Sequence, residues 1–365
     1  MPVPLFDTAT PLAPLRDELV AKLGEVFDRA RYVLGPEVRA FEQEFAAYLG
    51  ARHAIGVANG TDALTLALRA LGVGPGDEVI VPSFTFYASA EAIPPTGARP
   101  VFCDVDPETF CVTQETVQAA ITPRTKAVIA VHLFGNVAPV AEIEALGVPV
   151  VEDAAQAAGA LAAGGRRAGA LGTIATFSFY PSKNLGAFGD AGAVVTSDDA
   201  LDERVRMLRF HGSRDKERFE LLGYNSRLDE LQAALLRLTL PHLDGWCDGR
   251  RAAAAAYEES DLGEVAELPQ PAQGCTPAWH VYAVRHPRAD DLAAALKAAE
   301  IGHKAYYRLP VHRQPAMREF GAVDLPVTDE LARTHLAIPM SPVLSREQVA
   351  EVAGAAHAVV ANRMR

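Results

Sequence analysis

The sequence predicts an α/β fold in which a large domain holds a doubly wound, mainly parallel sheet and a smaller α+β domain follows. Short continuous runs of Val, Ile and Ala alternate with amphipathic helical stretches up to about residue 200. Such apolar runs are typical of parallel strands that helices cover on both faces. Longer helical stretches follow, so we divide the chain into domains at 1–240 and 241–365.

The first half of the chain supplies the predicted elements of the sheet. Pro36 stands at an early helical position, and Thr113 is typical of an N-cap. The Pro94–Pro95 pair ends a helix that begins near Tyr87. From apolar spacing we predict helices over 15–30, 36–49, 61–71 and 113–121, and strand cores within 53–59, 77–83, 99–105, 125–135, 147–155, 172–181 and 192–198.

The second half of the chain predicts fewer strands and longer helices. Long helical segments are predicted over 201–212 and 225–260. A short strand is predicted at 280–286, followed by helices over 290–300 and 346–364. This mixture indicates the smaller α+β domain.

Composition excludes several classes of function. The chain is 49% hydrophobic and 22% charged, which is ordinary for a soluble globular protein. Its net charge of -12 argues against nucleic-acid binding through bulk charge. No apolar run reaches the ~18 residues that span a bilayer, and no basic segment followed by an apolar one marks a secretion signal, so we expect a cytoplasmic protein without membrane contact. The four cysteines lack metal-ligand spacing and are expected to be inert thiols, so no metal is expected.

The segment "VANGTDALTLAL" places Gly60, Thr61 and Asp62 at the start of a helix that follows an apolar strand. Free N–H groups and the helix dipole suit a phosphate at that point, and Gly60 permits close approach. Alternatively, Asn59 or Thr61 simply caps the helix. Glycine signatures of nicotinamide-type and Walker-type cofactors are absent from the sequence.

The segment "VPVVEDAAQAAGA" places Glu152 and Asp153 at the carboxyl end of a buried strand. Ligands bind at that edge of open α/β sheets, and a carboxylate there needs a cationic partner. Gln156 follows three residues later and would face the same way on a helical turn. The alternative is plain solvation of a strand end together with a helix cap.

Lys183 is the one charged residue between Arg167 and Asp190, within "GTIATFSFYPSKNLGAFGD". Apolar and small neighbours should remove its hydration and lower its pKa, and a partly neutral amine can form a Schiff base with a carbonyl. A phosphate-binding helix start, a strand-end carboxylate and a desolvated lysine are the three parts that pyridoxal 5'-phosphate requires.

The motifs "NGTDAL", "PSFTFYAS", "VVEDAAQAAGA", "FSFYPSKNLGAFGDAGAV" and "GYNSRLDELQAALL" stand in one order along nearly the whole chain. In this respect the sequence resembles the DegT/DnrJ/StrS-type nucleotide-sugar aminotransferases. The resemblance implies the type I fold of pyridoxal-phosphate enzymes and a homodimer with shared active sites.

The resemblance also implies roles for individual residues. Lys183 would hold the cofactor as the internal aldimine and move the proton, and Asp153 would pair with the pyridinium nitrogen. Gln156 would contact the ring hydroxyl side, and Phe86 would stack on the ring. The phosphate would be held by the N–H groups of Thr61 and Asp62, the Ser178 hydroxyl and Asn225 of the partner subunit.

The segment "HGSRDKERFELLGYNSRLDELQAALL" is similar to the branch of this family that acts on 3-keto sugars. It implies ping-pong transfer, through pyridoxamine phosphate, from L-glutamate to a dTDP-3-keto-6-deoxyhexose, giving a 3-amino-3,6-dideoxy or 3-amino-3,4,6-trideoxy sugar nucleotide. The alternatives are a 4-keto substrate carried by dTDP or UDP, and a non-enzymatic regulator loaded with pyridoxal phosphate. The dehydratase branch has histidine in place of Lys183, and that lysine argues against it.

The segment 302–317, "GHKAYYRLPVHRQPAM", matches the sugar-side loop of the family with one departure. Relatives commonly have His-Tyr-Pro where this chain has Tyr306-Tyr307-Arg308. Tyr307, Arg308 and His312 would face the sugar or its pyrophosphate, and His211 is a further candidate contact. His132 is interpreted as a structural residue at a strand end, and the glycines Gly186, Gly189 and Gly192 are interpreted as a tight loop over the site.

Overall fold

A computed structural model describes residues 3–320 and 323–361. A seven-stranded sheet occupies the first half of the chain in the order β1-β7-β6-β5-β4-β2-β3, and a two-stranded sheet, β8-β9, lies in the second half. The strands are β1 (His53–Val57), β2 (Glu78–Pro82), β3 (Arg99–Cys103), β4 (Thr125–Val131), β5 (Val150–Asp153), β6 (Ile174–Ser178), β7 (Gly192–Thr196), β8 (Tyr282–Arg285) and β9 (His335–Ile338).

The described residues also form α-helices, several of which pack against the strands of the two sheets. They are α1 (Arg16–Arg29), α2 (Pro36–Leu49), α3 (Gly60–Ala70), α4 (Ala88–Glu91), α5 (Gln114–Ala120), α6 (Val140–Glu144), α7 (Asp199–Leu208), α8 (Glu230–Thr239), α9 (Leu243–Glu259), α10 (Ala289–Ala298), α11 (Pro326–Thr334) and α12 (Arg346–Ala361). No helix within the described residues is both long enough and apolar enough to cross a bilayer.

The large sheet is mainly parallel, as the sequence predicts. Strands β3, β2, β4, β5 and β6 run in one direction, and only β7 pairs antiparallel with its neighbours β1 and β6. The register sets Val131 beside Asp153 and Asp153 beside Thr176. The carboxyl ends of β4, β5 and β6 therefore meet at one edge, which is where an open α/β sheet binds ligands.

The long helical segment predicted over 225–260 divides into two α-helices and starts later than expected. The helix begins only at Glu230, ends at Thr239, and resumes as α9 after a 3-10 turn at Leu240–His242. Pro241 lies in that turn, and a proline ring removes a helical hydrogen bond and disturbs the preceding turn. The proposed domain boundary at 240/241 falls in the same turn.

Two other predicted helices are shorter than expected. The helix near Tyr87 is only α4, followed by a 3-10 turn at Pro94–Thr96. The helix predicted over 201–212 ends at Leu208, before a left-handed residue at His211, where φ is 63°. The last helix extends to Ala361, and the remainder of its predicted range lies outside the described residues.

A buried carboxylate joins the second helix to the eighth. The backbone N–H groups of Glu37 and Val38, in the first turn of α2, donate to the two Glu230 carboxylate oxygens at 3.0 and 2.8 Å. Glu230 is only 1% exposed, and a side chain at Gly35 would overlap its carboxylate, since a Cβ there would lie 2.5 Å from Oε2. Glu230 thus caps a helix that is almost two hundred positions away in sequence.

Replacing this cap should destabilise the protein. In Glu230→Ala two buried N–H groups lose their acceptor, so we expect the free energy of unfolding to fall by about 2 kcal/mol. Urea-induced unfolding followed by tryptophan fluorescence measures this loss. Asp229→Ala is the matched control, because the Asp229 carboxylate is exposed and makes no capping bond, and we expect a change within about 0.5 kcal/mol. An equal loss in both variants would contradict the capping role.

Candidate active site

Lys183 lies in the loop that follows β6. Its backbone N–H donates to the carbonyl of Tyr180 at 2.8 Å, which folds the loop tightly. Burial lowers the pKa of the Lys183 amine to about 8, against a smaller opposing effect from the Asp153 carboxylate. The sequence-based expectation of a partly neutral amine is therefore met.

Asp153 occupies the end of β5 and is 6% exposed. The Ser89 hydroxyl donates to its Oδ2 at 2.7 Å, and the Ala155 N–H donates to Oδ1 at 3.2 Å. Thr85 Oγ1 lies 3.0 Å from the Ser89 hydroxyl and continues the network. The carboxylate is thus held in one orientation. Sequence reasoning missed Ser89, although it stands inside the quoted segment "PSFTFYAS".

The start of α3 meets the end of β6. A Cβ on Gly60 would lie 2.7 Å from the Ser178 Cβ, and a Cβ on Gly192 would lie 2.5 Å from the Asn59 backbone. These two glycines therefore permit a close approach of the chain to itself, which sets the Ser178 hydroxyl beside the first turn of a helix. Gly186 likewise permits a close approach, because a Cβ there would lie 2.6 Å from the Pro181 carbonyl oxygen.

The capping interpretation of Asn59 is confirmed. Its Oδ1 accepts the N–H of Asp62 at 2.8 Å, so that N–H already has an acceptor in the protein. The N–H groups of Gly60 and Thr61 open the helix and have no carbonyl one turn earlier in α3. Together with Ser178, they are the donors of this corner that remain for an anion.

Gln156 connects two loops at the edge of the sheet. Its Oε1 accepts the backbone N–H of Phe134 at 2.8 Å, and its Nε2 donates to the Tyr307 hydroxyl at 3.2 Å. Tyr307 was predicted to face the sugar, and in the described residues it is hydrogen-bonded to Gln156, which was predicted to contact the cofactor.

Glu152 points away from Asp153, as alternation along a strand requires. His132 Nδ1 accepts the Ala138 N–H at 3.0 Å, so the ring hydrogen resides on Nε2 and is donated to Glu152 Oε2 at 2.8 Å. Burial opposes the charge of Glu152, but His132 and backbone N–H groups keep its pKa below the ordinary value. Those N–H groups belong to Gly169, Leu171 and Gly172. His132 is thus structural, in agreement with its interpretation from sequence.

Two of the predicted sugar contacts are engaged elsewhere in the described chain. Arg308 pairs with Asp290 at 2.6 Å and donates to the Arg333 carbonyl. His312 is buried, and its Nδ1 lies 2.6 Å from the Ser83 hydroxyl at the end of β2. Both side chains anchor the loop that carries Tyr307.

Three predicted residues lie at the surface of the single chain. Phe86 is 58% exposed, and Asn225 and His211 are also exposed. In the described residues no side-chain hydrogen bond joins any of these three to Lys183 or Asp153. Their predicted roles are therefore left for a ligand or a partner subunit to complete.

Two buried basic residues near Lys183, Arg250 and His280, were not predicted from the sequence. Arg250 donates to the carbonyls of Trp279 and His280 at 3.1 and 3.4 Å, and burial lowers its pKa to about 10. Burial and the charges of Lys183 and Arg250 hold the pKa of His280 well below its ordinary value. Lys183 and Arg250 both line a cavity of about 40 Å³. Neither residue had a sequence signal, since Arg250 stands in a stretch that predicts a helix and His280 in one that predicts a strand.

The geometry supports chemistry that needs an anion site, a fixed carboxylate and a neutral amine. No group of His, Cys, Asp and Glu in the described ranges is arranged to hold a metal ion. All four cysteines are unpaired thiols, and burial raises the pKa of Cys103, Cys111 and Cys247, so these three are poor nucleophiles.

Comparison with known proteins finds relatives that match this chain over nearly its whole length. The dTDP-3-amino-3,4,6-trideoxy-alpha-D-glucose transaminase of Streptomyces venezuelae is 48% identical over 96% of this chain and 94% of its own length. A "pleiotropic regulatory protein" of Geobacillus stearothermophilus is 45% identical over 95% and 96% of the two chains. The crystal structure of S. venezuelae DesV in complex with a ketimine intermediate superposes with a TM-score of 0.94 at 47% identity, covering 97% of both chains.

The family model described as the DegT/DnrJ/EryC1/StrS aminotransferase family matches residues 14–357. This match spans the sheet, the lysine loop and the second half of the chain. The chain belongs to the DegT/DnrJ/EryC1/StrS aminotransferase family and has the type I fold of its pyridoxal-phosphate-dependent aminotransferases.

Proposed function

We propose that the protein uses pyridoxal 5'-phosphate to transfer an amino group from L-glutamate to the keto carbon of a dTDP-linked 3-keto-6-deoxyhexose. The single observation that carries this proposal is that the desolvated Lys183 amine lies close enough to Asp153 for the two charges to interact, while Ser89 tethers the Asp153 carboxylate. We further propose a cytoplasmic homodimer in which the partner subunit supplies Asn225 to the cofactor phosphate.

The residues present fit this cofactor. A phosphate suits the corner formed by the Gly60 and Thr61 N–H groups and the Ser178 hydroxyl, where added side chains on the glycines would collide with the chain. A ring nitrogen that carries a proton suits Asp153, because Ser89 and Ala155 orient the carboxylate. We assign the exposed face of Phe86 to the ring and Gln156 to its hydroxyl side.

When bound, the cofactor supplies an electrophilic carbonyl and a ring that accepts electrons from the bonds of the amino carbon. Lys183 would provide the nitrogen that attacks this carbonyl. Once the amino donor has displaced it, the free Lys183 amine would take a proton from one carbon atom and deliver it to another. Asp153 would accept a hydrogen bond from the ring nitrogen and so favour the protonated form of the ring, and Ser89 holds the Asp153 carboxylate in place.

The assignment of the substrate is supported by the resemblance of "GYNSRLDELQAALL" to the 3-keto branch and by the name of the S. venezuelae relative, a 3-amino sugar transaminase. A 4-keto sugar, or a UDP-linked one, is the alternative substrate.

A regulator loaded with cofactor is a second candidate, because one relative at 45% identity is named a pleiotropic regulatory protein. Both candidates require Lys183 to bind the cofactor, but only the enzyme must exchange amino groups. Adding L-glutamate should remove the visible absorbance band of the holoenzyme by converting the cofactor to its pyridoxamine form, and adding 2-oxoglutarate should restore the band. A spectrum that neither compound changes would favour the regulator.

Replacing the lysine should abolish amino transfer. In Lys183→Ala we expect turnover with L-glutamate and the keto sugar to fall at least about a hundredfold, since both the nitrogen and the proton carrier are lost. Turnover is measured as 2-oxoglutarate formed. Lys297→Ala is the control, because Lys297 is exposed in the last turn of α10, and it should leave turnover unchanged. Normal turnover in Lys183→Ala would refute the assigned role.

The depressed pKa of Lys183 predicts how the apoprotein reacts with the cofactor. The neutral amine is the nucleophile, so the rate of covalent cofactor binding should rise about tenfold per pH unit and level off above about pH 8. Stopped-flow absorbance of apoprotein mixed with pyridoxal phosphate measures this rate. In Asp153→Asn the midpoint should move to lower pH, because Asp153 raises the pKa of Lys183. A midpoint near pH 10 would contradict the desolvated environment.

The position of the keto group can be tested with purified sugars. We expect amination of dTDP-3-keto-6-deoxyhexose with a kcat/KM at least about tenfold above that for the dTDP-4-keto isomer, a margin that corresponds to about 1.4 kcal/mol. Mass spectrometry and NMR of the product locate the new amine. The UDP-linked 3-keto sugar serves as the comparison for the nucleotide. Amination of the 4-keto compound alone would overturn the proposed regiochemistry.

A further inference from the structure

Two bulky residues beside Gln156 have left-handed backbone conformations. Phe134 has a φ of 58° and Tyr307 a φ of 62°, a region that residues with large side chains rarely occupy. They lie on separate loops, yet their rings stack with centroids 6.1 Å apart and planes 3° apart. Such backbone strain persists only where the surroundings fix it, and it clusters at functional sites.

Gln156 fixes both residues through one amide group. Because its Oε1 accepts the Phe134 N–H, the orientation of the amide is set, and Nε2 is the end that reaches the Tyr307 hydroxyl. An amide nitrogen carries two hydrogens, so one N–H of Gln156 is left over after the bond to Tyr307.

Tyr307 is set rigidly in the protein. Its ring packs edge-on against Phe84 at 5.7 Å, and the following residues are anchored by Arg308 on Asp290 and by His312 on Ser83. Burial raises the pKa of the Tyr307 phenol well above its ordinary value. The phenol therefore accepts the Gln156 N–H while remaining neutral with its own hydrogen.

We infer that Tyr307 is a positioning residue that acts through Gln156 on the ring-hydroxyl side of the cofactor, and that it is not primarily a contact for the sugar. This inference rests on the proposed function. A ring oxygen that becomes anionic needs donors held in place, and Gln156 can direct its remaining N–H only while Tyr307 and Phe134 occupy the other two positions of its amide.

Deleting one hydroxyl tests this inference. In Tyr307→Phe, the pH midpoint of the visible absorbance band of the holoenzyme should shift by about half a pH unit or more, because a hydrogen bond that orients the Gln156 donor is lost. The dissociation constant of pyridoxal phosphate should rise about threefold or more, while the KM for the keto sugar changes less than about twofold.

Tyr306→Phe is the matched control. It removes the same hydroxyl from the adjacent, half-buried residue, and within the described residues that hydroxyl makes no hydrogen bond. We expect the absorbance midpoint and the cofactor affinity to stay unchanged in this variant.

Gln156→Ala and the double variant complete a mutant cycle. If Tyr307 acts through Gln156, the double variant should show the midpoint of Gln156→Ala alone, whereas independent roles would give the sum of the two shifts. Additive shifts, or a raised KM for the sugar with an unchanged absorbance midpoint in Tyr307→Phe, would overturn the inference and leave the proposed function standing. Absence of the absorbance band in the unaltered holoenzyme would overturn both.

Discussion

The rest of the structure depends on one constraint, which is that the desolvated Lys183 amine must lie within electrostatic reach of the buried Asp153 carboxylate. Parallel pairing of β5 with β6 sets Asp153 next to Thr176, and the chain after β6 returns Lys183 to the same edge. Charges in such a place are costly unless they are oriented and compensated. The Ser89 bond, the glycines that let α3 meet β6, and the Glu152–His132 pair beneath the strand all hold this edge in one geometry.

Much of the fold could be predicted from local pattern, because buried strands and amphipathic helices leave their periodicity in the sequence. Two features of the fold were not predicted. The reversed direction of β7 leaves no trace, since an apolar run such as "GAVVT" is the same in either direction. The break at Pro241 was overlooked because helical spacing resumes on both sides of it, although proline itself was the available signal.

Some residues of the candidate site could likewise be predicted from the sequence, and others could not. Lys183, Asp153 and Gln156 could be found because each stands in a local context that is unusual for its chemistry. Partners that reach the site from distant segments, such as Ser89 and His280, depend on the folded geometry and have no local signal. Asn59 shows the opposite case, where the plain capping interpretation accounts for an N–H that a cofactor role had also claimed.

Glu230 has a consequence for how substrate preference is inferred across relatives. It stands inside "NSRLDELQ", the segment whose resemblance to the 3-keto branch suggests a 3-keto sugar. Its carboxylate, however, accepts the backbone N–H groups in the first turn of α2. Selection for folding alone would retain that glutamate whatever sugar the enzyme accepts. Only the side chains of the segment that neither hold the fold together nor contact the cofactor can carry information about the substrate, so a diagnostic motif should be weighted residue by residue.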